Sequence, residues 1–122
     1  MGIGNTRRSS TVLSFLSNRL VSSSLQSGPW LDLREYEGDI VFILDYESPG
    51  SSQYTFTFSE SDDGSGSNSS NFKVRTTNRG GEDTELIIFK VDELKRYARV
   101  TARSSGGAGA VSITALARKK YT

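Results

Sequence analysis

Few side chains in this sequence could do chemistry, and their spacing argues against catalysis. The chain holds no histidine and no cysteine. That removes the commonest general base, the commonest metal ligand, thiolate metal sites and disulfides. Carboxylates and aromatic rings remain. Glu35/Glu37 and Asp62/Asp63 are close enough in sequence for paired acid–base work, but they sit among turn residues, with no apolar pocket evident to lift a carboxyl pKa. Asp62-Asp63-Gly64-Ser65-Gly66-Ser67-Asn68 has the composition of a calcium loop. It lacks the spaced acids and the closing glutamate that such a loop needs. Gly106-Gly107-Ala108-Gly109 lacks the Lys-Ser/Thr and the helix of a phosphate loop. Trp30 and the tyrosines could stack on a sugar ring. The residues therefore predict a protein that is not an enzyme and uses no metal or cofactor.

Net charge is +1, which supplies no bulk attraction to nucleic acid or to an anionic membrane. The charges are nevertheless segregated. Residues 1–30 hold Arg7, Arg8 and Arg19 and no acid, residues 31–71 hold nine acids against Arg34, and residues 72–122 hold eleven Lys/Arg against five acids. Such a division suits solvated loops and strand edges, or surfaces that orient copies of the chain against each other or against a larger assembly. No run approaches the ~20 apolar residues that span a bilayer. Val12–Leu16 is too short, and too broken by serine, for a cleavable signal. Synthesis in the cytoplasm and no membrane contact are expected.

The elements that would position any site read as strands. Tyr54, Phe56 and Phe58 alternate with Thr55, Thr57 and Ser59, which places three aromatics on one face of a strand and small hydroxyls on the other. Ile40–Leu44 is apolar on both faces, as in a strand covered twice or covered by a neighbour. Trp30–Glu35, Phe72–Thr76, Thr84–Val91, Tyr97–Ser104 and Val111–Ala117 complete about seven strands. Ser48–Ser52 returns the chain to Tyr54 as an antiparallel neighbour, Gly106–Gly109 reads as a hairpin-like loop, Glu37-Gly38-Asp39 as a turn, Asp92–Arg96 as one helical turn capped by Asp92, and 61–71 as an exposed, mobile loop. The expected fold is all-β, a single antiparallel β-sandwich of jelly-roll-like form. Its expected core contains Tyr54, Phe56, Phe58, Ile88, Val100 and Ile113, with Ile87, Phe89 and Val91 as the alternative inward set.

Residues 1–28 are expected to be an extended N-terminal arm, and 29–122 the sandwich. The arm's serines and β-branched residues disfavour a helix, and Gly28-Pro29 punctuates the chain. Such an arm gains order only against a partner. Phe15 and Leu16 would be its apolar anchors, and Arg7, Arg8 and Arg19 would pair with acids. The alternative is that it folds back as an edge strand. The surplus apolar face bearing Val41 and Ile43 is expected to be covered by the arm or by a second copy, in a homo-oligomer, a trimer first and a dimer second.

Three motifs in order carry a resemblance. Asp32-Leu33-Arg34-Glu35-Tyr36-Glu37-Gly38-Asp39 leads into an apolar strand. Tyr54–Phe58 is followed by Glu60-Ser61-Asp62-Asp63-Gly64. Val91-Asp92-Glu93-Leu94-Lys95-Arg96-Tyr97-Ala98-Arg99-Val100 leads to a last strand ending in Arg118-Lys119-Lys120. From about Leu31 to Tyr121 the chain resembles small head proteins of tailed bacteriophages, the β-sandwich decoration or cement proteins. The resemblance implies a structural virion protein without enzymatic role, on the capsid surface. It would bind the major capsid protein and copies of itself, with no direct nucleic-acid contact, and stabilise the head. A phage tail or baseplate sandwich and a carbohydrate-binding β-sandwich module are the alternative readings.

Overall fold

The alternation around Tyr54 is realised in full. In the computed structural model, which describes residues 10–120, Tyr54, Phe56 and Phe58 are all completely buried. They face a second layer of strands. The strands are β1 (Ser10–Val21), β2 (Gln26–Ser27), β3 (Leu31–Asp32), β4 (Tyr36–Tyr46), β5 (Tyr54–Ser61), β6 (Ser70–Thr76), β7 (Asp83–Lys90), β8 (Tyr97–Ser104) and β9 (Gly109–Lys119). The first sheet has the order β1-β9-β4-β7, and the second β2-β8-β5-β6, with β3 also on β8. All pairings are antiparallel. The fold is an all-β sandwich of jelly-roll-like form.

Aromatic rings fill the space between the sheets. Phe42 of β4 meets Phe58 of β5 edge-on at 5.2 Å, with Phe15 and Phe89 at 5.5 and 5.7 Å. A second group joins Tyr46, Tyr54 and Phe56. Where β6 and β7 flank the sandwich, Phe72 meets Phe89 edge-on at 4.9 Å. Offset and edge-to-face pairs of this kind add to the stabilisation from burial alone.

Residues 10–21 differ from the expected arm. They form β1, an edge strand of the chain's own first sheet along β9, and Phe15 and Leu16 are core residues. They are therefore not free to anchor a partner, and position 28 does not divide an arm from a sandwich. Two irregularities hid this strand. The register slips between Ser14 and Leu16, so Phe15 is an extra residue, and a bulge of this kind lets two consecutive side chains turn inward. It slips again between Leu16 and Arg19, where Asn18 has a positive φ of 46° and donates its N–H to Ser112 Oγ at 2.9 Å. Gly28 is a close approach rather than a linker, because a Cβ there would fall 2.4 Å from the Phe15 carbonyl oxygen.

The connections also differ from expectation. The Ser48–Ser52 and Gly106–Gly109 segments carry the chain from one sheet to the other, so neither makes a hairpin. Glu37–Asp39 is a bulge within β4, with Gly38 at φ 74°. Val91–Glu93 is a 3-10 turn whose N-cap is Lys90, without a side-chain cap. The 61–69 segment is tied by its own carboxylate. Asp63 accepts from Ser65 N, Ser65 Oγ and Ser67 N at 2.8–3.2 Å, and from Ser67 Oγ. Ile88 points outward at 60% exposure, and Ile87, Phe89 and Val91 form the inward set.

The placement of β1 sets two positions of one strand apart. Leu16→Ala is expected to lower stability by about 2–5 kcal/mol, whereas Val12→Ser, on the solvent side of the same strand, should change it by less than about 0.5 kcal/mol. Urea titration of both variants checks the difference.

Candidate docking surface

The outer face of the first sheet carries a feature that a solvated sheet does not require. Register places Val12 opposite Leu116, Leu116 opposite Val41, and Val41 opposite Ile88. One apolar side chain from each strand thus forms a row across all four, about 14 Å long at ordinary strand spacing. A second row runs Thr114, Ile43, Leu86. Val12, Leu86 and Ile88 are 63, 63 and 60% exposed. Contiguous apolar residues on a rimmed face make a candidate interaction site.

Polar groups bound these rows toward both ends of the strands. Lys90 pairs with Asp39 at 3.2 Å, and Arg118 with Glu37 at 4.0 Å. At the other end Thr84 Oγ1 donates to Asp45 at 3.1 Å. The arrangement follows from β4 and β7, whose central residues are apolar at every position. Alternation sends Ile40, Phe42 and Leu44 inward and leaves Val41 and Ile43 outside. An apolar surface with a polar rim is the anatomy of a protein–protein interface.

The other candidate residues lie elsewhere. Arg7 and Arg8 lie outside the described residues. Arg19 is exposed and donates to Gln26 Oε1 at 3.0 Å. Trp30 is engaged within the fold. The Arg99 guanidinium lies 4.5 Å from its ring centroid, and Gly66 packs so near that a Cβ would fall 2.6 Å from Nε1. Val12, Leu86, Ile88 and Leu116 were not among the residues expected to form this face. Alternation along β7 contained the signal for two of them, once Ile87 and Phe89 were taken as inward.

The titratable groups act as struts. Arg75 grips Glu85 with two nitrogens at 2.8 and 2.9 Å, and the Tyr46 hydroxyl also donates to Glu85. The arginine holds the Glu85 carboxyl below its ordinary range. Burial, and then the Glu85 hydrogen bond, push the Tyr46 phenol up. A carboxylate held ionised by a bidentate arginine and a phenol held protonated are poorly placed to exchange protons near neutrality. The cluster ties β6 to β7 across the flank of the sandwich. Asp32 is lowered chiefly by its hydrogen bond from Arg96. Among the described residues no group of three or more His/Cys/Asp/Glu could hold a metal ion, and no helix is long and apolar enough to cross a membrane.

No family model matches the chain, and no curated protein matches it in sequence. Solved structures match the chain at low identity. A carbohydrate-binding module from the family 9 glycoside hydrolase Cel9A of Ruminococcus flavefaciens FD-1 is 8% identical, covering 91% of this chain and 98% of that one, with a TM-score of 0.49. The Eiger TNF of S. frugiperda is 10% identical over 91% of this chain and 93% of its own, at 0.45. The structure of infectious bursal disease virus Gx strain matches 94% of this chain and 30% of its own at 9% identity and 0.41. At these identities and scores none of them carries a function across.

The Arg75–Glu85 pair gives stability a pH dependence of definite sign. The folded-state pKa of Glu85 lies below its ordinary 4.5, so the unfolded chain takes up the proton first as pH falls. The stabilisation is complete above about pH 4.5 and is lost as pH falls through the folded value. Melting temperature should therefore drop below about pH 4.5. Glu85→Gln should flatten part of that drop, since Asp32 shares its direction; thermal melts from pH 7 to pH 3 measure both.

Proposed function

We propose that this protein is a structural component of a tailed-phage head, a capsid decoration protein that docks to the major capsid protein through the outer face of its first sheet. The observation that carries the docking is the row Val12–Leu116–Val41–Ile88, continuous across four strands and bounded by charged pairs. The three ordered motifs between Leu31 and Lys120 supply the head as the assembly.

The residues of those motifs have structural work in the fold, which suits a role without catalysis. Asp32 joins β3 to the segment before β8 through Arg96 at 2.9 Å. Glu60 accepts the Lys95 backbone N–H at 2.9 Å. Tyr36 begins β4 opposite Lys119 of the last strand. Contacts between copies on the shell would extend the same face, which is how the homo-oligomer, a trimer first and a dimer second, enters this reading. The apolar face also suits a tail or baseplate sandwich, and the three motifs favour the head. The carbohydrate-binding reading that depends on Trp30 loses support, because its indole is already engaged by Arg99 and Gly66.

Placing a charge on the apolar face tests the docking. Leu86→Lys and Ile88→Lys alter exposed side chains, so each should leave stability within about 0.5 kcal/mol of the parent. Both should abolish co-sedimentation with expanded heads and lower the mass seen by light scattering. Binding to heads at undiminished affinity would remove this face from the account. An adjacent gene for a major capsid protein would support the assignment to the head.

A further inference from the structure

The opposite face of the sandwich has a different chemistry. On the outer side of β8, Arg99, Thr101 and Arg103 alternate, so the two arginines stand about 13 Å apart with a threonine between them. Register on β5 sets Ser59 across from Arg99, Thr57 across from Thr101, and Thr55 across from Arg103. These residues floor an open groove of ≈ 510 Å³, which Asn71 and Leu25 complete, and among the described residues no carboxylate lines it.

The groove's polar groups are largely unused by the fold. Among the described residues Arg103 has no acidic partner, and the hydroxyls of Thr55, Thr57 and Thr101 make no hydrogen bond. Arg99 is held by stacking on Trp30 rather than by an ion pair. Its Nε is buried without a hydrogen-bond partner, which is rare enough in folded proteins to call for a reason. Stacking fixes the guanidinium plane in advance, so little freedom is lost when an anion binds it.

We propose that this groove binds an acidic oligosaccharide, with sugar carboxylates paired to Arg99 and Arg103 and sugar hydroxyls hydrogen-bonded to the threonines between them. The two arginines without acids set the ligand's sign. The floor of small hydroxyls and one amide selects a ligand rich in hydroxyls. A protein partner would be expected to find an aromatic or aliphatic anchor at the middle of the surface, and here the groove lining offers only Leu25 at its rim, with Val74 of β6 outside it. A nucleic-acid strand would need a longer cationic track and a free stacking ring. The site goes beyond the capsid reading and does not depend on it. If that reading holds, docking through the first sheet turns this groove outward from the shell.

Calorimetric titration of the full chain with a galacturonate hexamer, against neutral maltohexaose and a poly-glutamate peptide, tests the proposal. The galacturonate should bind saturably, and maltohexaose and poly-glutamate at least tenfold more weakly. Arg103→Gln should weaken galacturonate binding at least tenfold, and Thr57→Val several-fold, with melting temperatures unchanged. Ile88→Lys, which addresses the docking face, should bind it like the parent. The proposal is overturned if galacturonate fails to bind at millimolar concentration. It is equally overturned if Arg103→Gln binds like the parent, or if poly-glutamate binds as well as galacturonate and Thr57→Val makes no difference.

Discussion

The contact between Phe42 and Phe58 is the joint on which this sandwich depends. Each ring belongs to an inner strand of its sheet, and their edge-to-face approach at 5.2 Å fixes how the sheets lie on one another. Phe15, Phe72 and Phe89 extend the contact toward the edge strands. In a chain without disulfides, burial of such rings is the main term offsetting the entropy of ordering. Because alternation is strict, fixing Phe42 inward also fixes Val41 and Ile43 outward, and with them the faces of β7 and β9 that they adjoin. The same logic applied to Phe58 and Phe56 sends Thr57 and Thr55 out to the opposite surface.

The sandwich therefore has two unlike faces. One is apolar and bounded by ion pairs, suited to a protein surface that excludes water. The other is hydroxylated and cationic, suited to a hydrated ligand. The core needs neither. An outward strand position is free to be polar, yet four neighbouring strands place aliphatic side chains in one row. Among the described residues two arginines stand among hydroxyls without a countercharge, although the chain has fourteen acidic residues. The segregation of charge along the chain fits this division only in part, because fold contacts consume several acids. Asp32, Glu85 and Asp63 are occupied by Arg96, Arg75 and their own loop.

Legibility in the sequence followed regularity. β5 was plain, since its aromatics and hydroxyls alternate without interruption. β4 was recognisable as apolar on both faces, and that exposed the question of what covers Val41 and Ile43. β1 was hidden, because two bulges break its period and put Phe15 and Leu16 inward together. Turn residues showed where the chain reverses but not which sheet it enters, so Ser48–Ser52 and Gly106–Gly109 looked like hairpins. β7 is apolar throughout its centre, which left Ile88 assignable to either side until pairing with Val41 placed it outside. The groove on the second sheet required register as well. Nothing in the order of residues says that Arg103 stands across from Thr55, or that Arg99 lies over a tryptophan far along the chain.

Side-chain footprinting of the protein free and on phage heads tests the central claim most directly, because it reads each face separately. The account predicts that Val12, Leu86, Ile88 and Leu116 lose reactivity toward hydroxyl radical on the heads, while Leu25 and Val74 on the second sheet keep theirs. Protection of Leu25 and Val74 with the first sheet still reactive would contradict it.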